Sequence, residues 1–114
     1  MRTDIFTHSI SYPWTDAVAT HTFYLLAERY ANNNSLAIIV MEVNDDGSEE
    51  EFDAITVNLP FGAADEKCAY IDTNNCSWAE AMLKEHKLAK PTGECGYSGF
   101  CQYPLYKFDL KKFK

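Results

Sequence analysis

Four cysteines and three histidines are the side chains of this sequence with the most scope for chemistry. The cysteines form a C-x7-C-x18-C-x5-C pattern that consists of Cys68, Cys76, Cys95 and Cys101. Structural zinc sites favour cysteine pairs roughly two to four residues apart, because such pairs hold two thiolates around one ion. The spacing here does not match, so we expect free thiols, no metal and no cofactor. Folding can still gather these thiols with His86, which leaves a metal- or thiol-dependent enzyme open as an alternative.

A glycine-rich segment, Gly93-x-x-Gly96-x-x-Gly99, has some features of a phosphate-binding loop. It lacks the lysine and the following helix with which such loops hold phosphate groups. Because no reaction centre is recognisable, we expect a protein that binds rather than catalyses.

A polar stretch before the one clear helix is a candidate ligand site. Polar side chains and unpaired amides at a helix start can hold a small polar ligand. The candidate ligand-binding residues are Asp72, Thr73, Asn74, Asn75 and Trp78, with Tyr97 and Tyr103 from a later aromatic segment. The simpler interpretation is that the stretch turns the chain and caps the helix, while Trp78 anchors the helix in the core.

Acidic residues dominate one part of the chain. The net charge is −7, and residues 30–66 hold nine acidic residues and no lysine or arginine. Such a surface can bind a basic surface of another protein, or it can simply keep the chain soluble. The candidate partner-binding residues are Glu42, Asp45, Asp46, Glu49, Glu50, Glu51 and Asp53.

Direct nucleic-acid binding is not expected. It normally needs a concentrated basic surface that displaces counterions from phosphates. The only basic concentration along the sequence is the tail with Lys107, Lys111, Lys112 and Lys114.

Alternating apolar and polar residues predict strands with one helix. We expect a single α+β domain over residues 1–114, with an antiparallel sheet of about five to six strands and the helix packed on one face. The predicted strands are residues 4–12, 21–30, 36–43, 52–59, 68–72 and 103–110.

The predicted helix begins with a capping box formed by Ser77 and Glu80, whose side chains would satisfy unpaired amides of the first turn. Trp78, Ala81 and Met82 would form its apolar stripe.

The segment after the helix is expected to be a loop, because residues 91–102 contain three glycines and no regular period. Proline cannot donate to a sheet, so Pro104 predicts an edge position or a bulge for the last strand.

The sequence carries no signal for secretion or membrane insertion. Its start lacks a basic segment followed by an apolar one, and its longest apolar run, residues 36–41, is too short to cross a bilayer. We therefore expect a cytoplasmic location, where disulfides are rare, and no membrane partner.

Four segments carry a resemblance to a known family: RYANNNSLAIIV (29–40), ITVNLP (55–60), AYIDTNNCSWAEAMLKEH (69–86) and PTGECGYSGFCQYPLYKFDL (91–110). They resemble an uncharacterised family of small bacterial proteins, labelled only as a domain of unknown function and carried largely on conjugative elements, plasmids and prophages. The resemblance covers most of the chain after residue 22, but not the acidic turn at 44–53. It implies no activity, but it does imply an accessory role on a mobile element, such as interference with host defence.

Three functional hypotheses result. The first is a non-enzymatic protein of a mobile element or phage that binds a host protein with a basic surface and inhibits host defence. The second is a protein that binds or sequesters a small, nucleotide-like ligand. The third is the metal- or thiol-dependent enzyme.

Overall fold

The computed structural model describes residues 6–11, 18–59 and 65–113. The strands are β1 (Phe6–Ser11), β2 (Val18–Arg29), β3 (Leu36–Val43), β4 (Glu49–Ala54), β5 (Thr56–Val57), β6 (Cys68–Ile71), β7 (Ala89–Ser98) and β8 (Cys101–Phe108). The helices are α1 (Ala79–Glu85) and a 3₁₀ helix (Leu110–Lys112). Parts of the expected first strand and of the expected connections at 13–20 and 60–67 lie outside the described residues.

The described strands form two antiparallel sheets of four strands each, rather than one sheet of five to six. Sheet 1 has the order β1-β2-β3-β4, and sheet 2 has the order β5-β6-β8-β7. Antiparallel strands with one short α-helix are what the sequence predicts, so the α+β architecture is confirmed in outline. The single sheet is wrong.

The chain passes from sheet 1 to sheet 2 at Ile55, within the segment predicted as one strand over 52–59. The Ile55 N–H donates to the Ile38 carbonyl at 3.1 Å, while the Ile55 carbonyl accepts from the Asp72 N–H at 2.8 Å. The predicted alternation is real, but it buries Ile55 in one cluster and Leu59 in another. A change of hydrogen-bonding partner leaves no trace in an alternating pattern, so the sequence did not reveal it.

The main core joins both sheets to α1. Its fully buried side chains include Phe23, Leu25, Ile38 and Val40 from sheet 1, Ile71 from sheet 2, and Met82 and Leu83 from α1. A smaller cluster of Leu59, Cys68, Tyr70, Tyr103 and Leu105 lies on the opposite face of sheet 2, because successive side chains of a strand alternate between faces.

The helix begins later than predicted and without a capping box. It starts at Ala79, the residue before it is Trp78, and no side chain caps its first turn. Glu80 accepts a hydrogen bond from the Tyr106 hydroxyl at 2.6 Å, so its carboxylate is engaged with β8 instead of with Ser77. The capping-box prediction is therefore wrong.

The buried face of α1 also differs from the predicted stripe. Ala79, Met82 and Leu83 are buried, whereas Ala81 is exposed. Of the predicted stripe within the helix, only Met82 faces the core fully. No helix in the described part of the chain combines the length and apolar character needed to span a membrane.

The segment expected to be a loop, residues 91–102, is instead most of a hairpin made by β7 and β8. Gly99 has a φ of 60° in its turn, a conformation that glycine adopts without a steric penalty. Gly96 lies in the smaller cluster, where an added Cβ would be 2.6 Å from Leu59 Cδ1 and 2.8 Å from Tyr70 Cε1. Glycines that serve a strand and a turn look like loop residues when only composition is considered.

Pro104 lies in an interior strand, so the predicted edge position is wrong and the predicted bulge is right. β8 has β6 on one side and β7 on the other. Its pairing with β7 jumps from Pro91 opposite Tyr106 to Cys95 opposite Pro104, so three residues of β7 face one of β8.

Candidate functional site

The acidic hairpin, as we call residues 42–53, turns tightly between β3 and β4. The Asn44 N–H donates to the Ser48 carbonyl at 2.8 Å, and the Gly47 N–H donates to the Asn44 carbonyl at 2.9 Å. The Asp46 carboxylate accepts from the Ser48 hydroxyl at 2.6 Å and from its N–H at 2.9 Å. These bonds, the hydroxyl bond first, lower the pKa of Asp46, so its carboxylate is ionised and holds the turn.

Two acidic residues of this hairpin are tied to β2. The Glu42 carboxylate is paired with the His21 ring nitrogen Nδ1. The Tyr24 hydroxyl donates to Glu49 Oε1 at 2.5 Å. Both contacts fix the hairpin against its neighbouring strand.

A third acidic residue, Asp53, contacts a buried thiol. Cys76 Sγ lies 3.4 Å from Asp53 Oδ2 and 3.8 Å from the Ala54 carbonyl. Burial, followed by the Asp53 charge, raises the pKa of the Cys76 thiol to about 12. The thiol is therefore a proton donor to the carboxylate and not a nucleophile at neutral pH.

Like Glu49 and Asp53, the other four acidic candidates are exposed. They are Asp45 and Asp46 in the turn and Glu50 and Glu51 in β4. Among the described strands, β4 is an outer strand of sheet 1, so Glu50 and Glu51 lie along a sheet edge. No described lysine or arginine forms an ion pair with Asp45, Glu50 or Glu51.

An aromatic cluster supports the hairpin from the core side. The Phe52 ring of β4 lies 4.9 Å from Phe23 and 5.8 Å from Trp78, and His21 stacks on Phe23 at 5.3 Å between centroids. Trp78 thus connects the segment before α1 to sheet 1, which agrees with its interpretation as an anchor.

The polar stretch forms a turn that satisfies its own hydrogen bonds. Asp72 accepts from the Asn75 N–H at 3.2 Å and from the Asn75 side-chain amide at 3.0 Å. The Thr73 N–H donates to the Ile71 carbonyl at 2.9 Å, and Asn74 is exposed. Because α1 begins only at Ala79, this turn does not meet the helix start directly.

The two candidate tyrosines lie on opposite faces of the β7–β8 hairpin. Tyr103 is 8% exposed in the smaller cluster and lies close enough to Asp72 to interact with the charge of that carboxylate. A hydrogen bond with the Cys101 side chain raises the pKa of Tyr103. Tyr97 is 62% exposed on the other face. The seven candidate ligand residues therefore occupy three environments: the turn with Tyr103, the main core and the exposed face.

The cysteines are free and lie in separate surroundings. Cys68 and Cys76 are buried, and burial, followed by the Asp65 charge, raises the pKa of the Cys68 thiol. Cys95 and Cys101 lie on opposite faces of their hairpin, since Cys95 pairs with Pro104. Among the described residues, no three His, Cys, Asp or Glu side chains are grouped closely enough to hold a metal ion.

Sequence reasoning missed a basic groove on sheet 2, which we name the lysine groove. It has a volume of about 620 Å³, and its charged lining consists of Lys67, Lys87, Lys90, Lys107, Lys111 and Asp109. Only two of these lysines belong to the basic tail noted in the sequence. The others come from the segment before β6, the end of α1 and β7, so spacing along the chain offered no signal.

A second groove of about 650 Å³ shares Lys87, Ala89 and Lys90 with the first. Glu80 and Tyr106 form part of its wall, joined by the hydrogen bond described above. Burial, followed by that bond to Glu80, raises the pKa of Tyr106 to about 12. Three lysines and one glutamate line this groove, against five lysines and one aspartate in the lysine groove, so the lysine groove is the better site for an anion.

A family model for a domain of unknown function, DUF4313, matches residues 24–114. The chain belongs to the DUF4313 family. The DUF4313 region starts within β2 and contains the acidic hairpin, the turn at Asp72 and the lysine groove. The chain has no match among curated proteins or among solved structures. The expected membership of a family of unknown function is confirmed, while its bacterial origin and its mobile-element setting stay predictions.

The asparagine run of the DUF4313 region has a structural role. The Asn33 side-chain amide donates to Asn58 Oδ1 at 2.9 Å, and the Asn58 amide donates to Asn32 Oδ1 at 2.8 Å. Asn34 has a φ of 59°, which asparagine tolerates better than most residues. The β2–β3 turn is thereby joined to the segment after β5, across the junction of the two sheets.

Proposed function

We propose that this DUF4313 protein is a non-enzymatic accessory protein of a mobile element or phage that binds a basic surface of a host protein through the acidic hairpin. The observation that carries the proposal is that some hairpin carboxylates hold the hairpin against the rest of the fold, while others are left to face solvent. Glu42, Glu49 and Asp53 contact β2 and Cys76. The other exposed carboxylates are those of Asp45 and Asp46 in the turn and of Glu50 and Glu51 on the outer strand β4.

The inward contacts support recognition because they hold the exposed charges in place. A fixed array of like charges speeds association with an oppositely charged surface and excludes wrong partners. Such an array loses less conformational freedom on binding than a flexible acidic tail would. The hairpin is therefore better suited to specific binding than its charge alone would indicate.

The cellular setting comes from the resemblance, which points to mobile elements. A small protein carried there benefits the element when it disables a host defence protein, and inhibition by binding requires no reaction centre. The competing interpretation is that the charges on β4 only prevent edge-to-edge pairing and keep the protein soluble.

The experiment is capture of partners from host lysate, followed by affinity measurement with each purified partner at about 50 and 300 mM NaCl. In the double variant Glu50→Lys/Glu51→Lys we expect affinity to fall at least about tenfold at low salt, with most of the salt dependence lost. Glu49 is left unchanged because it is bonded to Tyr24.

The matched control is Glu66→Lys/Glu94→Lys. These two carboxylates are exposed and lie outside the hairpin. Replacing both with lysine changes the net charge by the same amount as the hairpin double variant does. The control should retain most of the affinity. Equal losses of affinity in both variants would mean that only the net charge matters. An unchanged affinity in the hairpin variant would exclude the acidic hairpin as the binding surface.

Small-ligand binding is the second candidate function. The observation that favours it is the lysine groove, not the seven residues predicted from the sequence, which occupy three separate environments.

A further inference from the structure

The lysine groove concentrates positive charge on a protein whose net charge is −7. Five lysines and a single aspartate line it, together with the apolar residues Ala89, Phe108 and Leu110. Its volume of about 620 Å³ falls within the range of about 300–1,000 Å³ typical of small-molecule sites.

Two of the lysines stand directly opposite each other. Lys90 in β7 pairs with Lys107 in β8. Like charges at directly opposed positions destabilise a sheet. Lys107 also lies 3.9 Å from Asp65, but this is an exposed pair of small energetic value. The pairing is thus an unfavourable arrangement that a bound anion would relieve.

A third lysine occupies a strained backbone position. α1 ends in a Schellman motif, in which the Leu88 N–H donates to the Leu83 carbonyl at 3.0 Å and the Lys87 N–H donates to the Lys84 carbonyl at 3.2 Å. Lys87 holds the left-handed position with a φ of 55°, where glycine is normally preferred. A side chain at this position has a steric cost that glycine avoids, and Lys87 is one of the residues that line the groove.

We propose that the lysine groove binds a small ligand that carries two or more adjacent phosphate groups, such as a nucleoside triphosphate. Lysines act as point charges toward phosphate and do not require the planar geometry that arginine imposes on its ligands. Several of them around one groove match several phosphate groups on one ligand. The apolar wall can accept the non-phosphate part.

A small ligand fits the molecule better than a nucleic acid does. An extended polyanion would reach beyond the groove and meet the field of a chain that carries seven more negative than positive charges. A compact phosphate chain stays within the groove, where the local charge is positive. The proposal is independent of the acidic hairpin.

The experiment is titration calorimetry of the whole chain with inorganic triphosphate and with ATP, at low salt and matched ionic strength. Lys90→Gln/Lys107→Gln should weaken triphosphate binding at least about tenfold, because two charge-assisted contacts are lost. Its melting temperature without ligand should be unchanged or higher, since the like-charge pair is gone.

Lys107→Gln and Lys84→Gln form a matched pair of single variants. Both remove one positive charge, but Lys84 lines the neighbouring groove and not the lysine groove. Only Lys107→Gln should weaken triphosphate binding appreciably. Equal losses would show a non-specific charge effect and overturn the proposal, as would no binding to the natural sequence.

Lys87→Gly separates strain from binding. The variant should melt roughly 2–4 °C higher because the left-handed strain is relieved, yet it should bind triphosphate more weakly. Unchanged affinity would remove Lys87 from the site.

Tighter binding to a short DNA duplex than to either triphosphate would overturn the small-ligand assignment in favour of nucleic acid, and equal affinity for ATP and inorganic triphosphate would place recognition in the phosphate groups alone.

Discussion

The acidic hairpin and the lysine groove carry opposite charges and are assembled in different ways. The hairpin takes its carboxylates from residues 42–53 of one continuous segment, so its charge is visible along the sequence. The groove takes its lysines from five places, and two of them meet only because β7 and β8 pair. A charge run along the chain identifies the first kind of surface and misses the second.

The two regions also differ in how their charges are balanced. Three hairpin carboxylates contact a histidine, a tyrosine hydroxyl and a thiol, which brings favourable bonds. The lysine groove contains a like-charge pair and a strained lysine. The unfavourable arrangement of the lysines calls for a functional explanation, and a bound anion would supply one.

The largest expected effect tests whether one core supports both regions. Phe23 lies under the hairpin and Ile71 lies in sheet 2, yet both are fully buried in the main core. Phe23→Ala and Ile71→Ala should each lower the free energy of unfolding by about 3–4 kcal/mol. Urea unfolding followed by tryptophan fluorescence and by circular dichroism should give one coincident transition in each variant.

Phe100→Ser is the control for these two variants, because the Phe100 side chain is fully exposed in the β7–β8 turn. Its effect should stay within about 0.5 kcal/mol. Separate transitions for the two probes would mean that the sheets unfold independently, and the hairpin and the groove would then belong to separately stable parts.

A smaller effect is expected from Gly96→Ala on the outer face of sheet 2. The new methyl group would lie 2.6 Å from Leu59 Cδ1 and 2.8 Å from Tyr70 Cε1, so neighbours must move. We expect a loss of about 1–3 kcal/mol in the free energy of unfolding. The cost of the alanine should shrink when Leu59→Ala is already present, and additive losses in this double-mutant cycle would contradict the proposed contact.

The smallest expected effect is a pH dependence at the edge of the hairpin. The Cys76 pKa is raised to about 12 in the folded state. The unfolded thiol therefore loses its proton first as the pH rises above 9, and the stability that the buried thiol contributes is lost between pH 9 and 12. Between about pH 8 and pH 10, the free energy of unfolding should fall by about 1 kcal/mol because of this group.

Cys76→Ala should flatten that slope, as measured by urea unfolding at about pH 8 and pH 10. Tyr106→Phe is the comparison variant. The Tyr106 pKa is also raised to about 12, but its hydroxyl lies in sheet 2, so this variant removes a titrating group away from the hairpin. An alkaline slope that Cys76→Ala leaves intact would place the titrating group elsewhere.

Much of the local structure could be predicted from the sequence. The third strand, Leu36–Val43, and the turn after it lie where alternation and the Asp-Gly pair put them. The helix was found, but not its start, because the carboxylate of Glu80 bonds to Tyr106 rather than to the first turn. The prediction of a loop at 91–102 was wrong, because Gly96 allows close packing within a strand and Gly99 forms the turn of the hairpin.

The sequence by itself therefore determined the α+β character, most strand positions and the acidic hairpin, since alternation, turn chemistry and charge runs act between residues that are close along the chain. Only the tertiary structure decided that the strands divide into two sheets at Ile55, that the ligand candidates separate, and that five lysines converge. Strand pairing and charge convergence depend on distances between residues far apart in the sequence, and no local pattern encodes those distances.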